Sequence, residues 1–72
     1  MTQGTTIAVQ VNGADREVPA EVTVHELVKL LGFEEELVAV ELNQELVRRT
    51  ELASRSVSAG DRIEIVEFVG GG

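Results

Sequence analysis

One short helix with a clear beginning and end constrains the fold of this chain more than any other feature. Thr23 and Glu26 match a capping box, in which each side chain accepts a hydrogen bond from the backbone N–H of the other residue. Apolar residues then recur at helical spacing up to Gly32, which favours a left-handed cap, and this predicts a helix over residues 24–31. A helix of this length is not stable in water on its own. It must therefore lie on a sheet formed by the rest of the chain.

The segment before the helix predicts a β-hairpin. Residues 7–11 alternate between large apolar side chains and smaller or polar ones, the period of a strand with one buried face. Asn12 and Gly13 follow, and both tolerate the positive φ of a two-residue turn. We therefore predict a hairpin over residues 6–18. Pro19 cannot donate a hydrogen bond to a neighbouring strand, so it should end the second strand or lie at a sheet edge.

The segment after the helix begins with a linker and a second pair of strands. Residues 33–37 hold three successive glutamates and are predicted to be a linker. Residues 38–42 are mostly apolar and predict a strand. Asn43 and Gln44 indicate a turn, although a weaker one than Asn-Gly because Gln resists positive φ. Residues 45–47 complete the pair as a short partner strand.

The last part of the chain predicts a final strand. Residues 48–58 have no clean period, and one turn of helix is expected at residues 51–53. Asp61 and Arg62 are expected to organise the next turn. Residues 62–69 then predict a strand with apolar side chains on both faces, which indicates a central strand or one whose outer face meets a partner. The apolar residues are Ile63 and Ile65 on one face, and Val66 and Phe68 near or on the other.

The predicted order of elements, β-β-α-β-β-β, limits the architecture. One helix across one face of a mixed sheet of about five strands buries the apolar side of every element, so we predict an α+β fold. This order matches the β-grasp, or ubiquitin-like, architecture, in which the first and last strands lie side by side and parallel at the centre. We expect one domain over residues 1–72, with a folded core over residues 6–68 and a flexible tail over residues 69–72.

Composition and charge exclude several classes of function. The chain has 72 residues, enough for one domain, and its net charge of −7 argues against DNA or RNA as a partner. It has no cysteine, which excludes disulfides and a thiol nucleophile, and its one histidine, His25, gives no metal site. No apolar run reaches the roughly 18 residues of a membrane span, and no signal segment opens the sequence. We expect a cytoplasmic protein that is a monomer when free.

Three glycines that follow the last strand are the most informative feature for function. Glycine loses the most backbone entropy on ordering, so residues 69–72 should be mobile in the free protein. Glycines also make a thin chain, which can thread a narrow tunnel and reach a buried active site about 14 Å away at roughly 3.5 Å per residue. The carboxylate at Gly72 would be ionised, since a free α-carboxyl has a pKa of about 3.5.

This tail predicts a substrate of other enzymes rather than an enzyme. A carboxylate is a poor electrophile, but coupling to AMP makes a mixed anhydride that a sulfur or nitrogen nucleophile can attack. The chain has no phosphate-binding loop, so we expect no bound cofactor, and ATP would be used by a partner enzyme. Gly72 is the predicted acyl carrier position, Gly71 keeps the approach slim, and Gly70 and Val69 line the same path. The tail could instead be an inert end on a non-covalent interaction module.

Several segments resemble ThiS, the family of sulfur carrier proteins of thiamine biosynthesis. They are residues 23–27 (TVHEL), 38–43 (VAVELN) and 60–72 (GDRIEIVEFVGGG), and the resemblance covers residues 7–72. It implies that an E1-like, ATP-dependent enzyme of the ThiF type adenylates the Gly72 carboxylate. A sulfur-relay protein with a cysteine persulfide would then supply sulfur for a thiocarboxylate. Thiazole synthase, ThiG, would receive that sulfur for the thiazole ring.

Two alternatives within the carrier class stay open. The chain could donate sulfur to molybdopterin or cysteine synthesis, or it could modify other proteins. The small subunit of molybdopterin synthase shares the fold and the Gly-Gly end, but it tends to be longer and to carry proline before its tail. Relatives in the ThiS family often carry proline at the position of Arg48 and tryptophan near Leu52, so the irregular segment departs from the family pattern.

The remaining candidates concern docking to partners. Phe68 and Val66 could form an exposed apolar patch that docks partners, or they could belong to the core. Glu64 and Glu67 flank this part of the last strand and are placed to meet a basic partner surface. The acidic run at residues 34–36 is more typical of a solvated loop than of a steering element, and His25 is expected on the helix surface.

Overall fold

The computed structural model describes residues 4–68, and its first two strands form the predicted hairpin. Strand β1 (Thr6–Val11) pairs antiparallel with β2 (Ala14–Pro19), from Thr6 opposite Pro19 to Val11 opposite Ala14. The connecting residues have φ of 52° at Asn12 and 84° at Gly13, as a two-residue hairpin turn requires. Pro19 is the last residue of an edge strand, so both of its expected positions are confirmed.

Helix α1 (Val24–Leu30) begins at the predicted capping box. The Glu26 N–H donates to Thr23 Oγ1 at 3.1 Å, and the Thr23 N–H donates to Glu26 Oε1 at 3.0 Å. The helix ends one residue earlier than predicted, with Leu31 as its cap, and Gly32 has the expected positive φ of 89°. The helix buries one stripe, Val24, Leu27 and Val28, against the sheet.

The second strand pair agrees with its prediction. Strand β3 (Val38–Leu42) pairs antiparallel with β4 (Glu45–Val47). Asn43 and Gln44 connect them with φ of 53° and 72°. Gln44 therefore adopts the conformation that glutamine disfavours, because a two-residue connection between antiparallel strands requires positive φ at both positions.

Three details of the predicted elements are wrong. The linker contains a 3₁₀ turn at Glu35–Leu37, and the helical turn expected at residues 51–53 lies two residues earlier, at Arg49–Glu51. Hydrophobic periodicity cannot locate a single helical turn, because three residues are too few to show a repeating pattern. The last strand, β5 (Arg62–Glu67), ends before the predicted limit of residue 69, because Phe68 is not part of the strand.

The five strands form one mixed sheet in the order β2-β1-β5-β3-β4. Strand β5 lies at the centre, parallel to β1 and antiparallel to β3. With one helix across one face, this α+β architecture is the ubiquitin-like β-grasp, and the predicted fold is confirmed. The parallel pairing of the first and last strands, which the resemblance implied, is present.

A single apolar core lies between α1 and the sheet. Each strand contributes its alternate residues to this inner face, so the other face of the sheet is left open to solvent. No polar or charged side chain within residues 4–68 is buried. The described part of the chain has no helix with the length and apolarity to cross a membrane. The core residues are Val9, Val11, Val18, Val22, Val24, Leu27, Val28, Val38, Val40, Leu42, Val47, Leu52, Val57, Ile63 and Ile65.

Candidate functional site

The predicted acyl carrier tail, residues 69–72, is separated from the central strand by one residue, Phe68. Gly72, the predicted acyl carrier position, lies outside the described residues, and so do Gly71, Gly70 and Val69. Their roles stay predictions. The structure describes the strand that leads to them, β5, and the residue after it, Phe68.

Strand β5 separates its apolar residues between two faces of the sheet. Ile63 and Ile65 point into the core and are 1% and 5% exposed. Val66 and Phe68 are 60% and 55% exposed, which excludes ordinary core packing for both. Large apolar side chains are rarely left this open beside one another without a reason. Both side chains are therefore open to solvent, and their role in docking stays a prediction.

The open face of the sheet carries a further large apolar residue that the sequence did not point to. Leu46 is 64% exposed and lies on the open face, since Val47 beside it points into the core. Ala39, half-buried, pairs directly with Val66 and lies between β4 and β5 on the same face. We call Ala39, Leu46, Val66 and Phe68 the outer patch. The sequence could have pointed to Leu46 only through the alternation of side chains along residues 45–47. Three residues are too few to establish such a period.

Carboxylates border the outer patch. Glu64 of β5 pairs directly with Glu41 of β3, so two like charges face each other across neighbouring strands. Such a pair is unfavourable in a sheet. The ion pairs within residues 4–68 involve other glutamates, so no ion pair there offsets the repulsion. A basic partner surface would relieve it. Glu67, also predicted to dock, is exposed, but because it alternates with Val66 it lies on the opposite face of the sheet from Glu64 and the outer patch.

The start of β5 is organised as predicted around Asp61. One Asp61 oxygen, Oδ2, accepts from the Ser58 N–H at 2.8 Å, and Oδ1 accepts from Asn43 Nδ2 at 3.0 Å. The Arg62 N–H donates to Asn43 Oδ1 at 2.9 Å. These bonds join the turn before β5 to the turn between β3 and β4. They hold the beginning of the central strand in place.

A cleft on the helix side contains the other polar candidates. It has a volume of about 260 Å³ and is open to solvent. His25 Nδ1 contacts Glu35 Oε1 at 2.5 Å across it, so the histidine is paired and half-buried rather than a free surface residue. Residues 4–68 contain no group of three or more histidine, aspartate or glutamate side chains that could together hold a metal ion. The cleft residues are His25, Lys29, Phe33, Glu34, Glu35 and Glu36.

A match to a family model, which extends over the folded domain and the glycine tail, shows the family of the chain. The model of the ThiS family matches residues 9–72, which is most of the chain. This protein belongs to the ThiS family. The resemblance found in residues 7–72 is therefore confirmed, and the matched region includes all three terminal glycines.

Relatives of two kinds resemble this ThiS-family chain. A thiazole synthase of Paramagnetospirillum magneticum is 44% identical over 62 residues, which are 86% of this chain and 19% of that protein. A thiazole synthase of Magnetococcus marinus is 38% identical over 64 residues, 89% of this chain and 20% of that protein. The chain thus spans about a fifth of the length of these two relatives. The ycf40 protein of Pyropia yezoensis is 35% identical over 66 residues, 92% of this chain and 93% of that protein.

A solved structure agrees with the architecture. The crystal structure of the thiamine biosynthesis protein ThiS from Geobacter metallireducens superposes with a TM-score of 0.79 at 35% sequence identity. The alignment covers 92% of this chain and 100% of that one. The ThiS-family chain and this neighbour therefore share the whole fold, not a part of it.

Proposed function

We propose that this ThiS-family protein is a sulfur carrier in thiamine biosynthesis, with its acyl group at Gly72. In this proposal a carboxylate oxygen of Gly72 attacks the α-phosphorus of ATP and releases pyrophosphate. The terminal sulfur of the relay protein's cysteine persulfide then attacks the acyl carbon and displaces AMP, which gives an acyl disulfide. A thiol of a partner enzyme next attacks the cysteine sulfur of that disulfide, and this releases the thiocarboxylate and leaves a disulfide between the two thiols. The thiocarboxylate donates its sulfur for the thiazole ring. The protein acts as a cosubstrate, and the ATP is held by the partner enzyme. Gly72 must carry a free carboxylate, either as the end of the chain or after trimming.

The family match over residues 9–72 carries this proposal. It includes the three glycines, which come two residues after the central strand of the sheet in the sequence. A chain end that follows on a rigid element starts from a defined position, so a partner that grips the domain also places the carboxylate. Val69, Gly70 and Gly71 would then lie along the path into the partner's active site.

The relatives favour thiazole formation over the alternatives. Two proteins named thiazole synthase contain a stretch similar to this chain within one longer polypeptide. Such an arrangement keeps a carrier next to its acceptor enzyme, which raises their effective concentration. We therefore place this chain with a thiazole synthase of the ThiG type, a ThiF-type adenylating enzyme and a sulfur-relay protein with a cysteine persulfide. The cytoplasmic location expected from the sequence belongs to the same proposal. Molybdopterin and cysteine synthesis, and the non-covalent interaction module, have no such support.

The outer patch is the proposed docking surface for these enzymes. Its exposed apolar side chains would supply the buried centre of an interface, and the neighbouring carboxylates would supply a charged rim. The pair Glu41 and Glu64 would gain favourable contacts with lysine or arginine on the partner. Charge complementarity of this kind mainly speeds association and selects the partner.

The decisive experiment is an intact-mass measurement. The protein is incubated with ATP, a ThiF-type enzyme and a sulfur source. We expect a mass gain that corresponds to exchange of one oxygen for one sulfur, located in the peptide that contains Gly72. The control omits ATP and should show no gain. Absence of any gain with several competent enzymes would contradict the carrier function.

Replacing Val66 with Asp should weaken docking without unfolding the protein. Val66 is 60% exposed, so the fold loses little when it changes, but an interface would have to bury an unpaired carboxylate. We expect KM for the activating enzyme to rise by at least about tenfold, the effect of roughly 1.4 kcal/mol. Steady-state loading rates at varied carrier concentration measure this.

Leu30→Asp is the matched control for that variant. Leu30 is 58% exposed, but it lies on α1, on the opposite side of the sheet from the outer patch. The same change in charge and polarity at Leu30 should leave KM within about twofold of the unsubstituted protein. Equal effects of the two variants would show that the outer patch is not the docking surface.

A further inference from the structure

The turn residue Asn12 makes contacts that the turn itself does not need. Strand β1 ends at Val11, and its parallel ladder with β5 has only two residue pairs, which end at Ile63. Strand β5 continues for four more residues, to Glu67. On the side of β1, no strand within the described residues pairs with this later part of the central strand. Asn12, the residue that follows β1, lies beside this part of β5.

Asn12 continues the ladder first with its backbone and then with its side chain. Its N–H donates to the Ile63 carbonyl at 2.8 Å. Its side-chain Oδ1 accepts from the Ile65 N–H at 2.8 Å, and its Nδ2 donates to the Ile65 carbonyl at 3.2 Å. A carboxamide has one acceptor and a donor in nearly the arrangement of a peptide group, so it replaces the next residue of a strand.

Within residues 4–68, the Ile65 backbone has no other partner on the side of β1. Successive backbone groups of a strand point to alternate sides, and the Arg62 carbonyl accepts from the Asn43 N–H on the β3 side. The Ile65 groups therefore point toward β1, where they bond to the Asn12 amide. With the Asn12 amide in place Ile65 is 5% exposed, so its N–H and carbonyl are satisfied by this side chain rather than by water.

We propose that Asn12 is a positioning residue for the reactive end of the carrier. Its side-chain amide holds the edge of β5 that faces β1, whereas β3 and the Leu37 carbonyl, which accepts from the Phe68 N–H at 2.8 Å, hold the other edge. Together they set the position of Phe68, after which the residues up to Gly72 follow in the sequence. This inference rests on the proposed function, because it assigns Asn12 a role in presenting Gly72 to the activating enzyme. Asn12 acts through β5 and touches no reacting atom.

Asn43 provides a matched control inside the same fold. It has nearly the same φ as Asn12, 53° against 52°, in an equivalent two-residue turn. Its side chain also makes two hydrogen bonds near β5, with the Arg62 N–H and with Asp61 Oδ1. These bonds hold the start of the strand, whereas the Asn12 bonds hold its later part. Loss of either amide should cost similar stability, but only Asn12 should affect presentation of the tail.

The test compares Asn12→Gly with Asn43→Gly, since glycine keeps the positive φ that both turns require. Hydrogen exchange in the free protein should show about tenfold lower protection of the Ile65 amide in Asn12→Gly, but not in Asn43→Gly. Loading with ATP and a ThiF-type enzyme should show kcat about tenfold lower for Asn12→Gly. KM should stay within about twofold, because the outer patch is unchanged, and Asn43→Gly should load normally.

A second variant covers the case in which Asn12→Gly does not fold. Asn12→Asp keeps an acceptor for the Ile65 N–H but turns an anionic oxygen toward the Ile65 carbonyl. It should keep part of the Ile65 protection and show an intermediate kcat. Normal loading by either Asn12 variant, or equal slowing by Asn43→Gly, would overturn the positioning role.

Failure of the proposed function remains distinguishable from failure of this inference. If the unsubstituted protein itself is never loaded, the carrier function fails. Hydrogen exchange at Ile65 and Phe68 then decides on Asn12 alone, because that measurement needs no partner. Unchanged protection of both amides in Asn12→Gly would contradict the inference even where the unsubstituted protein loads normally.

Discussion

Deletion of Gly72 is expected to abolish sulfur loading and to leave the fold unchanged. The shortened chain still ends in a glycine carboxylate, at Gly71, so the chemistry of the terminal group is the same. Its position, however, moves back by about 3.5 Å, the length of one extended residue. A displacement of about 1 Å can already cost a factor of about 100 when reacting groups must be aligned. Loading should therefore fall below detection in the intact-mass assay.

The controls for this deletion separate position from length. Adding one residue after Gly72 also displaces the carboxylate and should abolish loading in the same way. Removing Thr2, which lies outside the matched residues 9–72, shortens the chain equally and should have no effect. Circular dichroism should be identical for all three variants. Normal loading of the protein without Gly72 would mean that the carboxylate is not what partner enzymes recognise.

Local signals in the sequence accounted for most of the fold. The turn residues of each hairpin predict its position. The capping box of Thr23 and Glu26 predicts the start of the helix, and Gly32 predicts its end. These signals act between neighbours in the chain, so they can be read without knowing the tertiary structure. The parallel pairing of β1 with β5 joins segments about 50 residues apart, such as Val11 with Ile63. No periodicity encodes such a partner, and the pairing came from the resemblance to a known architecture.

The candidate site was predictable only where strand alternation was long enough to read. Side chains of a strand over residues 62–67 alternate between two faces, so the position of Val66 on the face opposite Ile63 and Ile65 could be proposed. Whether Val66 is exposed or covered by another element could not be decided from the sequence. Leu46 lies in a strand of three residues and gave no such signal. Asn12 was recognised for its tolerance of positive φ, but its two bonds to Ile65 span 53 residues and leave no local trace.

Replacing Leu27 with Ala is expected to unfold a large part of the protein population. Leu27 is fully buried, at the middle of the single helical stripe that covers the sheet. Leu→Ala at such sites costs about 2–5 kcal/mol, from lost apolar transfer and from the cavity that remains. A domain of this size rarely has more than about 3–5 kcal/mol of stability from its core. The urea midpoint followed by circular dichroism should fall to near zero denaturant.

Leu30→Ala distinguishes burial from helix propensity in that test. Leu30 lies on the same helix and undergoes the same chemical change, but it is 58% exposed and can leave only a small cavity. We expect its free energy of unfolding to stay within about 0.5 kcal/mol of that of the unsubstituted protein, with an unchanged dependence on urea concentration. A large loss in Leu30→Ala would indicate that a partner or a second copy covers the helix. The Leu27→Ala variant should load only in proportion to its folded fraction, because docking requires the sheet that the helix supports.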